Sequence, residues 1–315
     1  VSAECAAPVA DLEELRCRVM GTVAHLVVVG GRPGATAWAA GRLEQLEAKW
    51  SRFRPGSEIS RLNAMAGRPA VVSPETYRVI DLAVRAWRLT DGTFDPTTLP
   101  ALITAGYDRS FEQIPLEAPA TDPGPKSAPS PGCGGIELLP AVPAVVLPPG
   151  LTLDLGGIGK GFAADMIVTE LRAQGADGAC VNIGGDLRVD GQAPTADGWI
   201  IGIEDPADAA VPPLWRLGLH AGAVATSTDR RRRWVRGGEE RHHLIDPRSG
   251  RPARSPVAAA TVVAGEGWLA DVLAKVCFLC PEQAPALLSS VGAAALLIDG
   301  AGAAISLNGA EAYQR

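Results

Sequence analysis

The residues best suited to chemistry fall in five short segments. The first is Asp154-Leu-Gly-Gly-Ile-Gly-Lys160-Gly161. A strand pattern there runs into a glycine-rich turn and opens a helix. Glycines let a backbone approach a ligand closely, and a helix N-terminus offers free N–H groups and the positive end of its dipole. Lys160 adds a full positive charge, so the segment suits a phosphate. Its spacing fits neither G-x-G-x-x-G nor the Walker pattern, which argues against a nucleotide dehydrogenase and a P-loop NTPase. The competing reading is a glycine-rich packing turn. The second segment, Asn182-Ile-Gly-Gly-Asp186, interrupts a strand with two glycines, as a bulge or a close backbone approach would.

The other three segments carry titratable groups. His242-His243-Leu-Ile245-Asp246-Pro holds two of the four histidines. His243 could act as a general base, or the segment could be a solvated hairpin. Asp271 and Lys275 lie four apart on a predicted helix and so share a face. They read either as an exposed ion pair worth about 0.3–0.5 kcal/mol or as a place where Asp271, as a ligand, faces the glycine turn. Asp91-Gly-Thr93-Phe94-Asp95-Pro is either a turn after a helix or part of a site. Only Lys49, Lys126, Lys160 and Lys275 are lysine among 29 basic residues. Arg is the default in this chain, which draws attention to Lys160 and Lys275 inside motifs.

Positioning these segments takes a mixture of elements. Residues 16–29 are rich in Val and read as a strand bent at Gly21. Residues 35–50 read as a helix with Leu43, Leu46 and Trp50 on one face. A second helix spans 74–89, with Ser73 as N-cap and Pro74 at its first position. Residues 151–155 alternate, so Leu151, Leu153 and Leu155 face one side of a strand. A helix from about 162 to 174 follows, capped by Gly175. Strands are expected near 179–190, 198–203, 215–225 and 257–264, helices over 267–280 and 281–290, and a closing hairpin over 296–307. Without regular βαβ alternation the fold class is α+β, with mixed, largely antiparallel sheets and packed helices. Residues 1–315 read as a single domain with a Pro-rich surface insert at about 112–150, which ends in a short strand near Val145.

A net charge of −6 argues against a nucleic-acid partner, and the basic run Arg230–Arg233 sits close to Glu239 and Glu240. Cys277 and Cys280 lie within an apolar helical pattern and read as core thiols rather than a zinc or redox pair. No apolar run approaches the ~20 residues of a membrane span. The N-terminus lacks the basic start and apolar core of a signal peptide, so a cytoplasmic location is expected.

Taken in order, these segments resemble the FAD:protein FMN transferase (ApbE) family. Met20-Gly-Thr resembles its opening MGT. Trp50-Ser-Arg-Phe53-Arg, then Ser57-Glu-Ile-Ser60-Arg-Leu-Asn63, resembles its Ser/Arg/Asn stretch. Thr90-Asp-Gly-Thr-Phe-Asp95-Pro-Thr resembles TGGxFDPT, and Leu153 to Gly161 resembles LDLGGIAKG. Asn182 to Asp186, His243-Leu-Ile-Asp-Pro and Leu269-Ala-Asp271 complete the set. The resemblance covers nearly the whole chain outside the Pro-rich insert and the first dozen residues.

It implies a transferase that cuts FAD at the pyrophosphate and attaches FMN through a phosphoester to a Ser or Thr of an acceptor protein, releasing AMP. A pyrophosphatase giving FMN and AMP, and a non-catalytic FAD-binding protein, are the alternatives. Implied flavin and adenine contacts are Met20, Phe53, Thr93, Phe94, Asp95, Asp154, Lys160 and Ile245. Implied for Mg²⁺ at the pyrophosphate are the Gly157 carbonyl oxygen and the Asp271 carboxylate. Lys160 would stabilise charge on the pyrophosphate and His243 would be the base. Phe53 stands where the family usually has Tyr, and Gly159 where it has Ala. Lys275 stands where it has Thr as a third metal ligand. An ammonium cannot ligate while charged. At ~4 Å from a dication, with an effective dielectric of ~20, the repulsion approaches ~8 kcal/mol before screening. Three states of Lys275 stay open: pointing away, neutral, or with its ammonium in the metal's place.

Overall fold

The structure is a computed structural model that describes residues 11–117, 127–205 and 211–315. Its main sheet runs Leu12–Val19, Thr22–Val29, Gly178–Ile183, Asp186–Gly191, Gly222–Thr228, Val257–Ala264, Ala294–Asp299 and Ala304–Leu307 in spatial order. All neighbours pair antiparallel, as the α+β class requires. The helices among the described residues are α1 (Ala35–Trp50), α2 (Glu58–Ala64), α3 (Pro74–Leu89), α4 (Leu99–Ala105), α5 (Gly159–Ala173), α6 (Gly267–Leu279) and α7 (Ala284–Val291). Helices α1, α5 and α6 pack on one face of the sheet. The hairpin of Trp199–Ile203 and Trp215–Leu219 covers the other, burying Trp199, Ile201 and Leu217 against Val189, Val224 and Val263. Strand Val257–Ala264 is therefore buried along its whole length, and its sequence, VAAATVVA, is apolar on both sides.

Two expectations about strands are corrected by turns. The valine-rich run 16–29 is a hairpin, because Met20 and Gly21 both take positive φ, 51° and 66°. Two successive positive φ values form the tight turn whose twist suits antiparallel strands. Gly184 and Gly185 do the same at 66° and 103°, so residues 179–190 are also two strands and the second segment is a turn rather than a bulge. Asn182 supports it by accepting the Gly185 N–H on Oδ1 at 2.8 Å.

Helices α1 and α3 have the expected bounds, and Ser73 caps α3 by accepting the Thr76 N–H. Trp50 Nε1 donates to Thr76 Oγ1 at 3.0 Å and ties the two together. Residues 151–155 do not form a strand, although Leu151, Leu153 and Leu155 are buried. Their backbone bonds go elsewhere. Asn63 clamps Leu153 from both sides, donating to its carbonyl at 3.0 Å and accepting its N–H at 2.8 Å. The Asp154 N–H donates to the Pro96 carbonyl at 2.8 Å.

The Pro-rich stretch is only partly superficial. Residues 118–126, including Lys126, lie outside the described residues. Beyond them Cys133, Val145 and Leu147 are fully buried. Strands Glu137–Leu139 and Ala144–Val146 pair in a small sheet with Pro69–Val71. Cys277 and Cys280 are buried free thiols, as expected of core positions.

Candidate functional site

The site is built where two helix starts cross. Gly161 in the first turn of α5 lies against Gly267 at the start of α6. A Cβ added to Gly161 would stand 2.2 Å from the Gly267 carbonyl oxygen, and one added to Gly267 would stand 2.5 Å from that of Gly161. Each helix then supplies a carboxylate to the other's free N–H groups. Asp165 of α5 accepts from Gly267 N at 2.6 Å and Trp268 N at 2.9 Å. Asp271 of α6 accepts from Gly161 N at 3.4 Å. The glycine turn and the acidic helix face are therefore in contact, and Asp271 is 1% exposed rather than part of a surface ion pair.

Beside this crossing opens a cavity of about 430 Å³. Every residue assigned by resemblance to flavin or adenine lines it: Met20, Phe53, Thr93, Phe94, Asp95, Asp154, Lys160 and Ile245. So do Gly157, His243 and Lys275, while Asp271 lies behind the wall. The Thr93–Asp95 wall follows α3 through a turn at Asp91 (φ 48°) and Gly92 (φ 75°). Thr90 Oγ1 accepts the Phe94 N–H at 3.0 Å, and Asp95 Oδ1 accepts from Thr97 N at 2.8 Å. The segment is thus both a turn and a cavity wall. Burial raises the Asp95 carboxyl above its ordinary value.

Lys160 leaves α5 and pairs with Asp186 at the Gly184-Gly185 turn, which gives the second segment its place in the site. Burial lowers the Lys160 ammonium to about 8, helped by Lys275 and Arg232 and opposed by Asp271. Lys275 does not point away. Its Nζ bonds Asp271 Oδ1 and lies 3.2 Å from the Asp271 carbonyl oxygen. Burial alone would raise the Asp271 carboxyl, but the charges of Lys275 and Lys160 hold it below its ordinary value.

The histidine segment is not a solvated hairpin. His242 is buried, with Nε2 donating to the Ala253 carbonyl at 2.9 Å and Nδ1 accepting the Leu244 N–H at 3.3 Å. Those bonds fix the ring and the backbone that carries His243. Burial, with Arg232, Lys275, His242 and Lys160 around it, pushes the His243 pKa well down, so its ring is neutral. Its Nδ1 is buried without a hydrogen-bond partner among the described residues. A neutral imidazole is the form a general base needs.

Three cavity residues escape sequence reasoning. Arg52 lies 4.1 Å above the Phe53 ring and 4.7 Å above Tyr107, donates to the Tyr107 carbonyl at 2.7 Å, and pairs with Asp154 at 3.2 Å. It thus braces the ring that replaces the usual Tyr. Tyr107 carries no motif. Arg232 belongs to the basic run, but only the fold singles it out: its φ of 55° turns it toward Gly21, whose carbonyl accepts its Nη2 at 3.2 Å. Its neighbours pair with carboxylates instead, Arg231 with Glu204 and Arg233 with Glu240.

The donor set does not fit Mg²⁺ as it stands. Mg²⁺ takes oxygen ligands at 2.0–2.1 Å in near-octahedral order. Asp271 has one oxygen on Lys275 and the other on Gly161 N. Among the described residues no three His, Cys, Asp or Glu side chains group as a metal centre. What the cavity offers is aromatic side chains together with ammonium groups beside a glycine turn and a neutral imidazole.

Known proteins are similar to this chain in sequence and fold. Residues 20–297 match the ApbE family. The FAD:protein FMN transferase of Treponema pallidum is 31% identical over 303 aligned positions, covering 86% of this chain and 79% of the relative. That of Vibrio cholerae is 32% identical over 246 positions, covering 76% and 72%. The crystal structure of the ApbE protein of Thermotoga maritima superposes with a TM-score of 0.84 at 26% identity, over 97% of this chain and 100% of that one. The flavin transferase ApbE of Vibrio cholerae gives 0.77 at 25% identity, over 96% and 99%. With its family motifs gathered around one cavity and the match running through most of its length, the chain belongs to the ApbE family.

Proposed function

We propose that this protein is a FAD:protein FMN transferase. The observation that carries the reading is the shared cavity: ring-binding residues, two ammonium groups and a neutral imidazole line one space. The flavin lies against Met20 and Phe53, and the diphosphate lies beside the glycine turn, Lys160 and Lys275. The hydroxyl oxygen of an acceptor Ser or Thr attacks the phosphorus on the flavin side. The bond from that phosphorus to the bridging oxygen breaks, and its electron pair leaves with AMP. His243 takes the hydroxyl proton. Fixed ammonium groups stabilise charge that develops on the phosphates.

The test is incubation with FAD and an acceptor domain, followed by mass spectrometry of the acceptor and assay of AMP. One FMN added per acceptor and one AMP released is the expected result. FMN and AMP without protein-bound flavin would make the protein a pyrophosphatase, and neither product would make it a binding protein. His243→Gln is expected to keep FAD affinity and slow transfer by about 10²–10⁴-fold, the usual contribution of a general base.

A further inference from the structure

We infer that Lys275 stands in for a divalent cation, so that this protein grips and cleaves the FAD diphosphate without a metal. The inference rests on the FAD-cleaving reading and adds to it what supplies the positive charge. A metal at the implied position would sit between the Gly157 carbonyl and the Asp271 carboxylate. The Lys275 side chain lies against both residues. A Cβ built on Gly157 would stand 3.0 Å from Lys275 Cε and 3.2 Å from Cδ, so the methylene stem runs along the glycine turn. The ammonium at its end holds Asp271 Oδ1 and approaches the Asp271 carbonyl at 3.2 Å. The second oxygen of Asp271 accepts from Gly161 N at 3.4 Å. The ammonium thus holds the carboxylate oxygen that a divalent ion, which takes oxygen ligands, would need.

The ammonium is also placed to act on the substrate. Lys275 lines the cavity, as do Lys160 and Arg232. Lys160 is matched by Asp186 and Lys275 by Asp271. Arg232 shows another kind of bond, to the backbone carbonyl of Gly21. An ammonium delivers one charge where Mg²⁺ delivers two, and Arg232 supplies the other. When the bond to the bridging oxygen breaks, the electron pair passes to AMP and the ammonium keeps all its protons, acting by charge and hydrogen bonding alone.

Chelator-treated protein, dialysed free of metal, decides the matter. FAD affinity is read by quenching of flavin fluorescence, and FMN and AMP by chromatography, each with and without added Mg²⁺. The wild type is expected to bind and turn over FAD equally in both conditions, within about twofold. Lys275→Thr is expected to lose about tenfold or more in FAD affinity in chelator and to regain it with Mg²⁺. A wild type that needs Mg²⁺ for binding or turnover overturns the inference and leaves the FAD reading intact. So does a Lys275→Thr protein that binds FAD as well as the wild type and ignores Mg²⁺. A wild type that neither binds FAD nor forms products under either condition overturns both.

Discussion

Two glycines, two residues apart in α5, are expected to respond to the same substitution in opposite ways. Gly161→Ala places a methyl carbon 2.2 Å from the Gly267 carbonyl oxygen, 2.5 Å from its carbon and 2.8 Å from Trp268 N. All three are backbone atoms, so no side chain can swing aside. An ordinary contact is about 1 Å longer, and α5 must move off α6 by a comparable amount. Overpacking of this kind costs about 1–3 kcal/mol, and rigid backbone puts it at the top of that range. For a chain of 315 residues the melting temperature should fall by roughly 4–5 °C. The same movement carries Gly157 and Lys160 away from Lys275, so FAD affinity should fall too. Gly159→Ala meets only Leu155 Cβ at 3.7 Å and Trp50 Cε3 at 3.8 Å. Ala at a compatible Gly site stabilises by about 0.4–1 kcal/mol, so this variant should melt at or above the wild-type temperature. Differential scanning fluorimetry of the pair is the assay. Equal melting temperatures for Gly161→Ala and wild type would refute the description of the helix crossing.

Three other outcomes are expected. Burial lowers the Lys160 ammonium to about 8, so its charge is present below that pH and lost above it. FAD affinity, measured by fluorescence titration from about pH 6 to about 9.5, below the ordinary lysine range, should hold at low pH and fall through about 8. A Lys160→Met protein should bind FAD more weakly and lack that step. Asn63→Ala strands the buried Leu153 N–H and carbonyl that Asn63 now satisfies. Each unmade bond costs about 1–3 kcal/mol, and a thermal melt should show a loss of about 2–6 kcal/mol in total. Asp271→Ala leaves the Lys275 ammonium partly buried without its carboxylate. A loss of about 3–5 kcal/mol is expected, read by urea unfolding.

Much of the site was legible because it depends on local order. Helices α1 and α3 follow from apolar spacing and the Ser73-Pro74 cap, which need only neighbouring residues. The motifs at Met20, Phe53, Asp95, Asp154, Lys160, His243 and Asp271 were visible as an ordered set, and all of them meet at or beside one cavity. Misread elements share a cause. Two tight turns, at Met20-Gly21 and Gly184-Gly185, interrupt runs of strand-forming residues, and periodicity alone does not reveal a reversal of direction. Leu151 to Leu155 alternates like a strand because it is half-buried, but a side chain, Asn63, takes the place of a neighbouring strand.

By itself the sequence determined which residue types the site contains and that Lys275 breaks the family pattern. It left the state of Lys275 open among three possibilities, because an i,i+4 pair looks the same on an exposed helix as on a buried one. The crossing of α5 and α6 removed one of them, a side chain that points away. Two glycines allow the backbones to touch, which buries Asp271 and turns Lys275 onto it. Arg52, Tyr107 and Arg232 were likewise decided by the fold, since their roles come from contacts between segments far apart in the chain. Such contacts depend on which faces meet, and no single segment carries that information.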